Sequence, residues 1–412
     1  MRLDIQQDVL AGDLETLASF SDAPAPAVTR VVFSEADRQA RAWLKGRFAG
    51  AGLAVREDAV GNTFARWPGT APELPAVATG SHIDAVPHAG RYDGTVGVLG
   101  ALEAIRALAR AGARPRRSIE LVLFTSEEPT RFGIGCLGSR LLSGTLPAAR
   151  ATALRDSQGA GLDELRAACG FEGSLASVAL PADCYHAFVE LHIEQGPLLE
   201  RAGIPLGIVT AIAAPATMRL EIDGVGGHAG AVLMPERHDA FLAAAELALA
   251  VEAAAKRTGA IDTVATVGLC EIFPGAVNSI PSRARMLADV RDIDLTRRDA
   301  VLAGIAMAAE KIAQTRGVTI RSEVLNADNP AEAAPAVVEA LRASVEERGW
   351  RYQPMVSRAY HDTLFMARVA PAGMLFIPCR GGVSHRPDEY AAPEDIARGV
   401  EALAGALARL AA

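Results

Sequence analysis

Short apolar runs alternate with helical patterns along the first half of the chain. Residues 74–79, 118–124 and 187–192 are apolar runs of strand length, and residues 96–111 place apolar side chains at helical spacing. Strands that alternate with helices predict an α/β fold, with a mostly parallel catalytic sheet and helices on both of its faces. Ligands of such sheets bind beyond the carboxyl ends of the strands. The functional residues are therefore expected at those ends.

The pattern changes after residue 212. Residues 217–222 alternate between apolar and polar, as a strand with one wet face does, and further strands and amphipathic helices follow. This stretch predicts a smaller α+β domain, residues 213–329, that interrupts a catalytic domain made of residues 1–212 and 330–412. The elements predicted in the last segment are a helix at 335–348, a strand at 372–377 and a helix at 393–410.

Composition excludes several classes of partner. The net charge of -8 argues against nucleic acid, and no apolar run reaches membrane-spanning length. The polar N-terminus has no signal-peptide pattern, and the five cysteines show no CxxC spacing. These features predict a soluble protein of the reducing cytoplasm, without a disulfide framework, a nucleic-acid partner or a membrane partner.

Histidines and carboxylates follow the predicted strands. His82 and Asp84 are two residues apart and would face the same way on a strand, so Asp84 could accept the second ring N–H of His82 and orient it as a metal ligand. A hydrogen-bonded surface pair suits the two residues equally well. Asp93, just before a predicted helix, is either an N-cap or a carboxylate that bridges two metals.

Two adjacent carboxylates, Glu127 and Glu128, end an apolar strand, where charge is costly unless it is used. One would coordinate a metal while the other acts as general base toward water. The alternative is a helix-entry pair favoured by the helix dipole. His192 and His385 add imidazoles at similar positions, so nitrogen and oxygen donors without thiolate predict a catalytic zinc or manganese site.

Several motifs in a fixed order together resemble one family. The segments that carry the likeness are GSHIDAVPHAGRYDG, TSEEPTRFGIGCLGSR, ELHIEQGPLLE, GGHAGAVLMPERHDA, PGAVNSIPS, DVRD and GGVSHRPDEY. They are similar to the M20-type amidases of the hydantoinase/carbamoylase group, from His82 to the C-terminus. Within that group, SRAYHDTLFMAR, FTSEEPTRFGIGCLGSRLL and VTAIAAPA most resemble the ureidoglycolate amidohydrolases.

The resemblance implies a site with two divalent metal ions. His82 and His192 would hold one ion, and Glu128 and His385 the other. The roles that it implies for the neighbouring carboxylates are a bridge between the ions for Asp93, the general base for Glu127 and an outer supporting contact for Asp84.

The inserted domain would act as a lid that carries substrate contacts. Arg291 would clamp the substrate carboxylate with its planar fork, although a strand-edge arginine paired with Asp289 or Asp292 fits the residues equally. Asn278 would bind the same carboxylate or the ureido group, unless it is only a turn residue. His228 would stabilise the oxyanion, or else it is a loop histidine in a Gly-rich turn. In the related enzymes this histidine comes from the partner's lid, which implies a homodimer.

Two further positions suggest the substrate. Gln195 can both donate to and accept from a carbamoyl group, which suits a ureido acid better than a peptide. His361 and Asp362 are expected to line the pocket. The predicted reaction is hydrolysis of the ureido C–N bond of a small carboxylate, favouring ureidoglycolate, with release of ammonia and carbon dioxide.

The alternatives within the group are an N-carbamoyl-L-amino-acid hydrolase, an allantoate amidohydrolase or a β-ureidopropionase. More distant alternatives are an aminopeptidase or deacylase on the same scaffold.

Overall fold

The computed structural model describes residues 3–412 of the chain. The strands in this range are β1 (Val28–Arg30), β2 (Ala54–Glu57), β3 (Thr63–Trp67), β4 (Ala76–Ser81), β5 (Ala85–Ala89), β6 (Ile119–Leu123), β7 (Tyr185–Ile193), β8 (Gly207–Ile212), β9 (Ala214–Asp223), β10 (Gly227–His228), β11 (Val264–Phe273), β12 (Ser279–Ile280), β13 (Arg283–Asp292), β14 (Thr319–Ala327), β15 (Ala331–Glu332), β16 (Gln353–Ser357) and β17 (Ala372–Ile377). The α-helices are α1 (Gln7–Ser19), α2 (Glu35–Gly50), α3 (Thr95–Arg110), α4 (Leu137–Leu142), α5 (Ala148–Thr152), α6 (Leu162–Ala168), α7 (Leu198–Ala202), α8 (Ala240–Arg257), α9 (Leu295–Arg316), α10 (Pro335–Glu346), α11 (Asp362–Met366) and α12 (Pro393–Leu410).

The described residues form two compact units. The first runs up to Thr210 and includes Glu332–Met355 and His361–Ala412, while the second comprises Ala211–Ala331 with Val356–Tyr360. The segment Val356–Tyr360, which the sequence pattern groups with the catalytic domain, belongs to the second unit. Its backbone carbonyl at residue 357 accepts the N–H of residue 213 at 2.8 Å, which ties the segment to the start of that unit.

A nine-stranded sheet forms the centre of the first unit. Its strand order is β15-β8-β17-β7-β4-β6-β3-β2, with β16 also paired to β8. The four central strands β17, β7, β4 and β6 are parallel, while β8, β3 and β2 pair antiparallel at the flanks. Every residue of β4, β6 and β17 is buried, which explains why these strands are continuous apolar runs. The prediction of a mostly parallel central sheet is confirmed.

Both faces of this sheet are covered. Val77 of β4 packs in one apolar cluster with Leu99 of α3 and Leu403 of α12. The adjacent Ala78 points to a second cluster, which contains Leu141 of α4. Because side chains alternate along a strand, the two clusters lie on opposite faces of the sheet. This arrangement holds the carboxyl ends of β4, β6 and β7 side by side.

The second unit has a four-stranded antiparallel sheet of order β11-β13-β9-β14. Along β9 the residues alternate, with Met218, Leu220 and Ile222 buried, and they pack in one cluster with α8 and α9 residues such as Leu247 and Ile305. A sheet with helices on one face is the α+β arrangement that the alternating pattern predicts. Among residues 3–412, no helix is long and apolar enough to cross a bilayer.

The close approach of β4 to β6 gives a test of the fold. Gly80 has a φ of 151°, and an added Cβ would lie 1.9 Å from the carbonyl oxygen of Val122. We expect Gly80→Ala to lower the free energy of unfolding by roughly 2 kcal/mol or more, because two central strands cannot move apart locally. Urea unfolding measures the change.

The matched control is Gly46→Ala. Gly46 lies within α2, where an added Cβ meets nothing within 4 Å, so alanine should raise stability by about 0.5–1 kcal/mol. Wild-type stability of Gly80→Ala would contradict the packing of β4 against β6.

Candidate metal and substrate site

Three donor side chains meet at the carboxyl ends of β4 and β7. The ligand atoms of His82, Asp93 and His192 all lie within 4.8 Å of one another, and the three residues are buried. His192 Nε2 lies 3.2 Å from Asp93 Oδ1, and His82 Nε2 lies 3.7 Å from the same oxygen. This group is the first that could hold a metal ion.

A second group shares Asp93 with the first. His385 Nε2 lies 3.1 Å from Asp93 Oδ2 and 3.2 Å from Glu128 Oε1. The ligand atoms of these three residues again fall within 4.8 Å of one another. Asp93 therefore presents one oxygen to each group. It does not cap the following helix, because the N-cap of α3 is Gly94.

Backbone carbonyls orient two of the imidazoles. His82 Nδ1 lies 3.0 Å from the carbonyl oxygen of Asp84, and His192 Nδ1 lies 2.9 Å from that of Ile193. A carbonyl can only accept, so each Nδ1 carries the proton and each Nε2 presents a lone pair to a cation. The sequence pattern predicted that the Asp84 carboxylate would accept the second ring N–H of His82. That carboxylate lies 3.7 Å from His82 Nδ1, and the Asp84 carbonyl makes the contact instead.

The Asp84 carboxylate instead holds the neighbouring strand end. It accepts the backbone N–H groups of Glu127 at 3.1 Å and of Glu128 at 2.9 Å. Because His82 is 2% and Asp84 1% exposed, they are not a surface pair.

Glu127 and Glu128 lie in an irregular segment, since the next helix begins only at Leu137. A helix-entry pair is therefore the wrong interpretation. Glu127 is buried, its Oε1 accepts the Cys136 thiol at 3.2 Å, and its Oε2 lies 3.7 Å from His82 Nε2. The backbone N–H of Cys136 also donates to the Glu127 carbonyl at 2.7 Å.

The electrostatics of the site are those of a cation-binding site. Burial raises the pKa of Glu127 well above its ordinary value, and nearby carboxylates add to the effect. Burial opposes ionisation of Asp93 too, but the neighbouring imidazoles of His192 and His385 hold its pKa well below the usual range. The contact with Asp93 raises the pKa of His385 to about 11. Imidazole nitrogens and carboxylate oxygens are donors that zinc and manganese accept, so the residues fit such ions.

Gln195 lies against the shared carboxylate. Its Nε2 donates to Asp93 Oδ2 at 2.7 Å, and it lies 3.3 Å from Ser384 Oγ. Its Oε1 is buried and has no hydrogen-bond partner among the described residues. A buried acceptor of this kind suits a ligand N–H.

His361 and Asp362 border the first group. The ring of His361 lies 4.5 Å from that of His192, centroid to centroid. Asp362 Oδ1 accepts the Ser139 hydroxyl at 2.5 Å, and burial raises the pKa of this carboxyl well above its ordinary value. His361 therefore stands next to a metal-group imidazole, while Asp362 is tied to α4.

His228 and Asn278 are neighbours within the second unit. The two-residue strands β10 and β12 pair His228 with Ser279, and the N–H of Ala229 donates to the Asn278 carbonyl at 2.9 Å. Both predicted side chains are exposed. His228 Nδ1 accepts the N–H of Gly230 at 3.1 Å, so Nε2 carries the proton of the neutral ring and can donate.

Arg291 is also in the second unit, where it is half-buried. Its Nε donates to Asp289 Oδ1 at 2.7 Å, and its Nη1 lies 3.4 Å from the carbonyl oxygen of Arg358. The pair with Asp289 was one of the two interpretations of the sequence. Asp292 pairs with Arg297 instead.

The sequence pattern missed two residues that touch this site. Cys136 contacts Glu127, and Glu389 accepts the backbone N–H of Asp93 at 3.1 Å. The Glu389 contact joins two separate loops, and the Cys136 contact lies within the irregular connection between β6 and α4, so no strand or helix periodicity marks either residue. The only signal was the position of both residues within motif segments.

Comparison with known proteins identifies the family of the chain. The model of peptidase family M20/M25/M40 matches residues 78–409. A ureidoglycolate hydrolase of Oryza sativa subsp. japonica is 54% identical over 98% of this chain and 85% of its own length. An N-carbamoyl-L-amino acid amidohydrolase of Geobacillus stearothermophilus is 38% identical over 97% of both chains.

A solved structure is similar throughout. The crystal structure of AtUAH in complex with (S)-hydroxyglycine is 52% identical and superposes with a TM-score of 0.92, covering 99% of this chain and 98% of the other. The two donor groups, in which only His385 is exposed, thus lie within a fold and sequence shared with hydrolases of amide-type bonds. The chain belongs to peptidase family M20/M25/M40 and is a metal-dependent hydrolase of C–N bonds.

Proposed function

We propose that this protein is a ureidoglycolate amidohydrolase, which cleaves the ureido C–N bond and releases ammonia and carbon dioxide. The observation that carries the proposal is the sharing of Asp93 by two donor groups, with the Glu127 carboxylate beside them. The relative that is 54% identical is named a ureidoglycolate hydrolase. AtUAH was crystallised with (S)-hydroxyglycine, a small acid of the expected product type.

The donor groups define the proposed cofactor. His82 and His192 would hold one divalent cation, zinc or manganese, while Glu128 and His385 would hold a second and Asp93 would contact both. When bound, such ions would supply a nucleophilic water at neutral pH and would polarise the carbonyl group whose carbon is attacked.

Glu127 is the proposed general base. It takes a proton from the attacking water as the new C–O bond forms, and it returns that proton to the leaving nitrogen as the C–N bond breaks. The Cys136 thiol and the Asp84 carboxylate keep this side chain and its backbone in place. Gln195 would use its free Oε1 to accept a carbamoyl N–H, and His361 would line the pocket.

The second unit would supply the remaining contacts as a lid. Arg291 and Asn278 would bind the substrate carboxylate, and the Nε2–H of His228 would stabilise the oxyanion. We propose that this histidine serves the site of a partner subunit in a homodimer formed through the second unit. Two points support this assignment. His228 is exposed, and in the enzymes that this chain resembles the corresponding histidine comes from the lid of the partner subunit.

One observation favours a small substrate over an N-carbamoyl amino acid or allantoate. The ring of Tyr360 lies 5.5 Å from the guanidinium carbon of Arg291, where it reduces the room beside the proposed carboxylate clamp. A bulky side group would have to displace that ring. The proposed compartment is the cytoplasm, since all five cysteines are free thiols.

Ammonia release tests both the substrate and the cofactor. We expect chelator-stripped protein to be inactive and added manganese or zinc to restore turnover of ureidoglycolate, because the donor groups would then be filled. Allantoate, N-carbamoyl-β-alanine, an N-carbamoyl-L-amino acid and a dipeptide form the comparison set. A preference for any of these substrates would refute the assigned substrate, and turnover without metal would refute the cofactor.

Glu127→Gln separates base catalysis from metal binding. The amide keeps the shape of the side chain but cannot accept the proton, so kcat should fall by roughly 10²–10⁴-fold with metal content unchanged. Glu128→Gln is the matched control, because it should lower the metal content as well. Near-wild-type turnover by Glu127→Gln would remove it as the base.

Mixed dimers test whether His228 acts in the partner's site. We expect His228→Ala and Glu127→Gln to be nearly inactive separately, and to recover about a quarter of wild-type activity after the subunits exchange. Half of the dimers would then be mixed, and each would contain one site with both residues intact. Each variant exchanged with itself is the control, and a lack of recovery would place His228 in its own subunit's site.

A further inference from the structure

Glu389 is a buried carboxylate at the end of the GGVSHRPDEY segment, with 4% of its surface exposed. Its Oε1 accepts two consecutive backbone N–H groups, those of Tyr92 at 2.8 Å and Asp93 at 3.1 Å. Its Oε2 lies 2.9 Å from the hydroxyl oxygen of Ser384. One side chain thus joins the loop that carries Asp93 to the loop that carries His385.

Ser384 closes this connection into a ring. Its Oγ also lies 2.9 Å from Asp93 Oδ2, the oxygen that His385 Nε2 approaches to 3.1 Å. Both the backbone and the carboxylate of Asp93 are therefore held from the segment 384–389. Any shift of Glu389 would move Asp93 relative to His385.

The packing around Glu389 leaves little freedom. A Cβ added to Gly90 would lie 2.3 Å from Glu389 Cβ and 2.5 Å from its Oε1. Only a glycine at position 90 allows the carboxylate to reach the two N–H groups. This close packing therefore depends on Gly90, in the loop before Asp93, as well as on Glu389, in the segment after His385.

We propose that Glu389 is a positioning residue that fixes the separation of Asp93 and His385, the two donors that share the second metal group. Its hydrogen bonds join it to the backbone of Tyr92 and Asp93 and to Ser384, so it is assigned a role through the two donors and not as a metal ligand. The proposal rests on the proposed function in one respect, that these donors hold a cation. Metal ligands must be placed to within about 0.2 Å, and loss of an outer supporting contact typically costs 10–100-fold in metal affinity.

The test compares two substitutions at the same position. Glu389→Ala removes both the grip on the backbone and the contact with Ser384. Glu389→Gln keeps an oxygen for the N–H groups of Tyr92 and Asp93 and places an amide N–H against the serine oxygen. We expect manganese affinity, measured by chelator competition, to fall 10–100-fold in the alanine variant and to stay within about threefold of wild type in the glutamine variant.

Two more variants isolate the mechanism. Ser384→Ala leaves the grip on the backbone intact but removes the bridge to Asp93 Oδ2, so an intermediate loss of affinity is expected. Asp156→Ala is the matched control, since Asp156 also accepts two backbone N–H groups, those of Gln158 and Ala160, both at 2.9 Å and outside the site. It should lower the melting temperature of the metal-free protein without changing manganese affinity.

Kinetics on manganese-saturated protein add a second readout. Glu389→Ala should lower kcat while KM stays within about twofold, because the proposal gives this side chain a positioning role and no contact with substrate. Wild-type manganese affinity in Glu389→Ala would overturn the proposal. Equal losses in the alanine and glutamine variants would also overturn it, because they would make the negative charge decisive instead of the hydrogen bonds.

Should the alanine variant not fold, Ser384→Ala and Glu389→Gln still decide the matter, since wild-type affinity in Ser384→Ala would refute the link to Asp93. A wild-type protein that binds manganese but leaves ureidoglycolate intact would refute the proposed substrate and not this inference. A wild-type protein that binds no divalent ion would refute both.

Discussion

The site depends on one constraint, which is the concentration of buried negative charge at the carboxyl ends of the central strands. Asp84, Asp93, Glu127 and Glu128 are each at most 7% exposed; Asp84 follows β4, Glu127 and Glu128 follow β6, and Asp93 lies in the loop between β5 and α3. A buried carboxylate without compensation is costly, so each needs a cation or a set of N–H donors. The parallel order of β7, β4 and β6 creates the problem, because it brings the ends of those strands together.

The chain solves this problem with two kinds of carboxylate. Asp93 and Glu128 face imidazoles and are open to a cation, whereas Asp84 and Glu389 face backbone N–H groups. Asp84 grips residues 127 and 128, and Glu389 grips residues 92 and 93, so each consecutive pair of N–H groups carries a donor residue of the site. Two hydrogen bonds to adjacent N–H groups fix the intervening peptide plane. The hydrogen bonds to Asp84 and Glu389 therefore compensate these buried charges and also fix the backbone of the donor residues.

The sequence predicted most of what depends on short-range pattern. The strand Ala372–Ile377 and the helix Pro393–Leu410 have the predicted bounds, because continuous burial and amphipathic spacing are visible within a single segment. Two of the predicted donors stand where the strand pattern predicts them, since His82 directly follows β4 and His192 lies at the carboxyl end of β7. The elements before residue 74, such as α1 and α2, were not predicted. Their role is visible only in the structure, where they pack against the core of the first unit.

The misplaced contact of Asp84 shows where such reasoning stops. The prediction treated His82 and Asp84 as strand residues that face the same way, but β4 ends at Ser81. Beyond that residue the chain is irregular, so side chains two apart no longer share a face, and the carbonyl of Asp84 reaches the ring instead. Glu389 was missed for a related reason, since its partner Tyr92 lies in a loop 297 residues away along the chain. Contacts between loops depend on the assembled sheet and leave no local periodicity.

The pair of Arg291 with Asp289 can be reconciled with a substrate clamp. The pair is partly exposed, with 27% and 36% of the two side chains accessible, so it contributes about 1 kcal/mol or less. Asp289 takes the Nε side of the guanidinium at 2.7 Å and its contact with Nη2 is longer, at 3.4 Å. A guanidinium offers five N–H donors, so a second carboxylate can bind without breaking the Nε contact. In the proposed clamp, Asp289 would orient the arginine before substrate arrives, and its charge would weaken but not cancel the attraction. The two interpretations of the sequence would describe one arrangement, with and without its ligand.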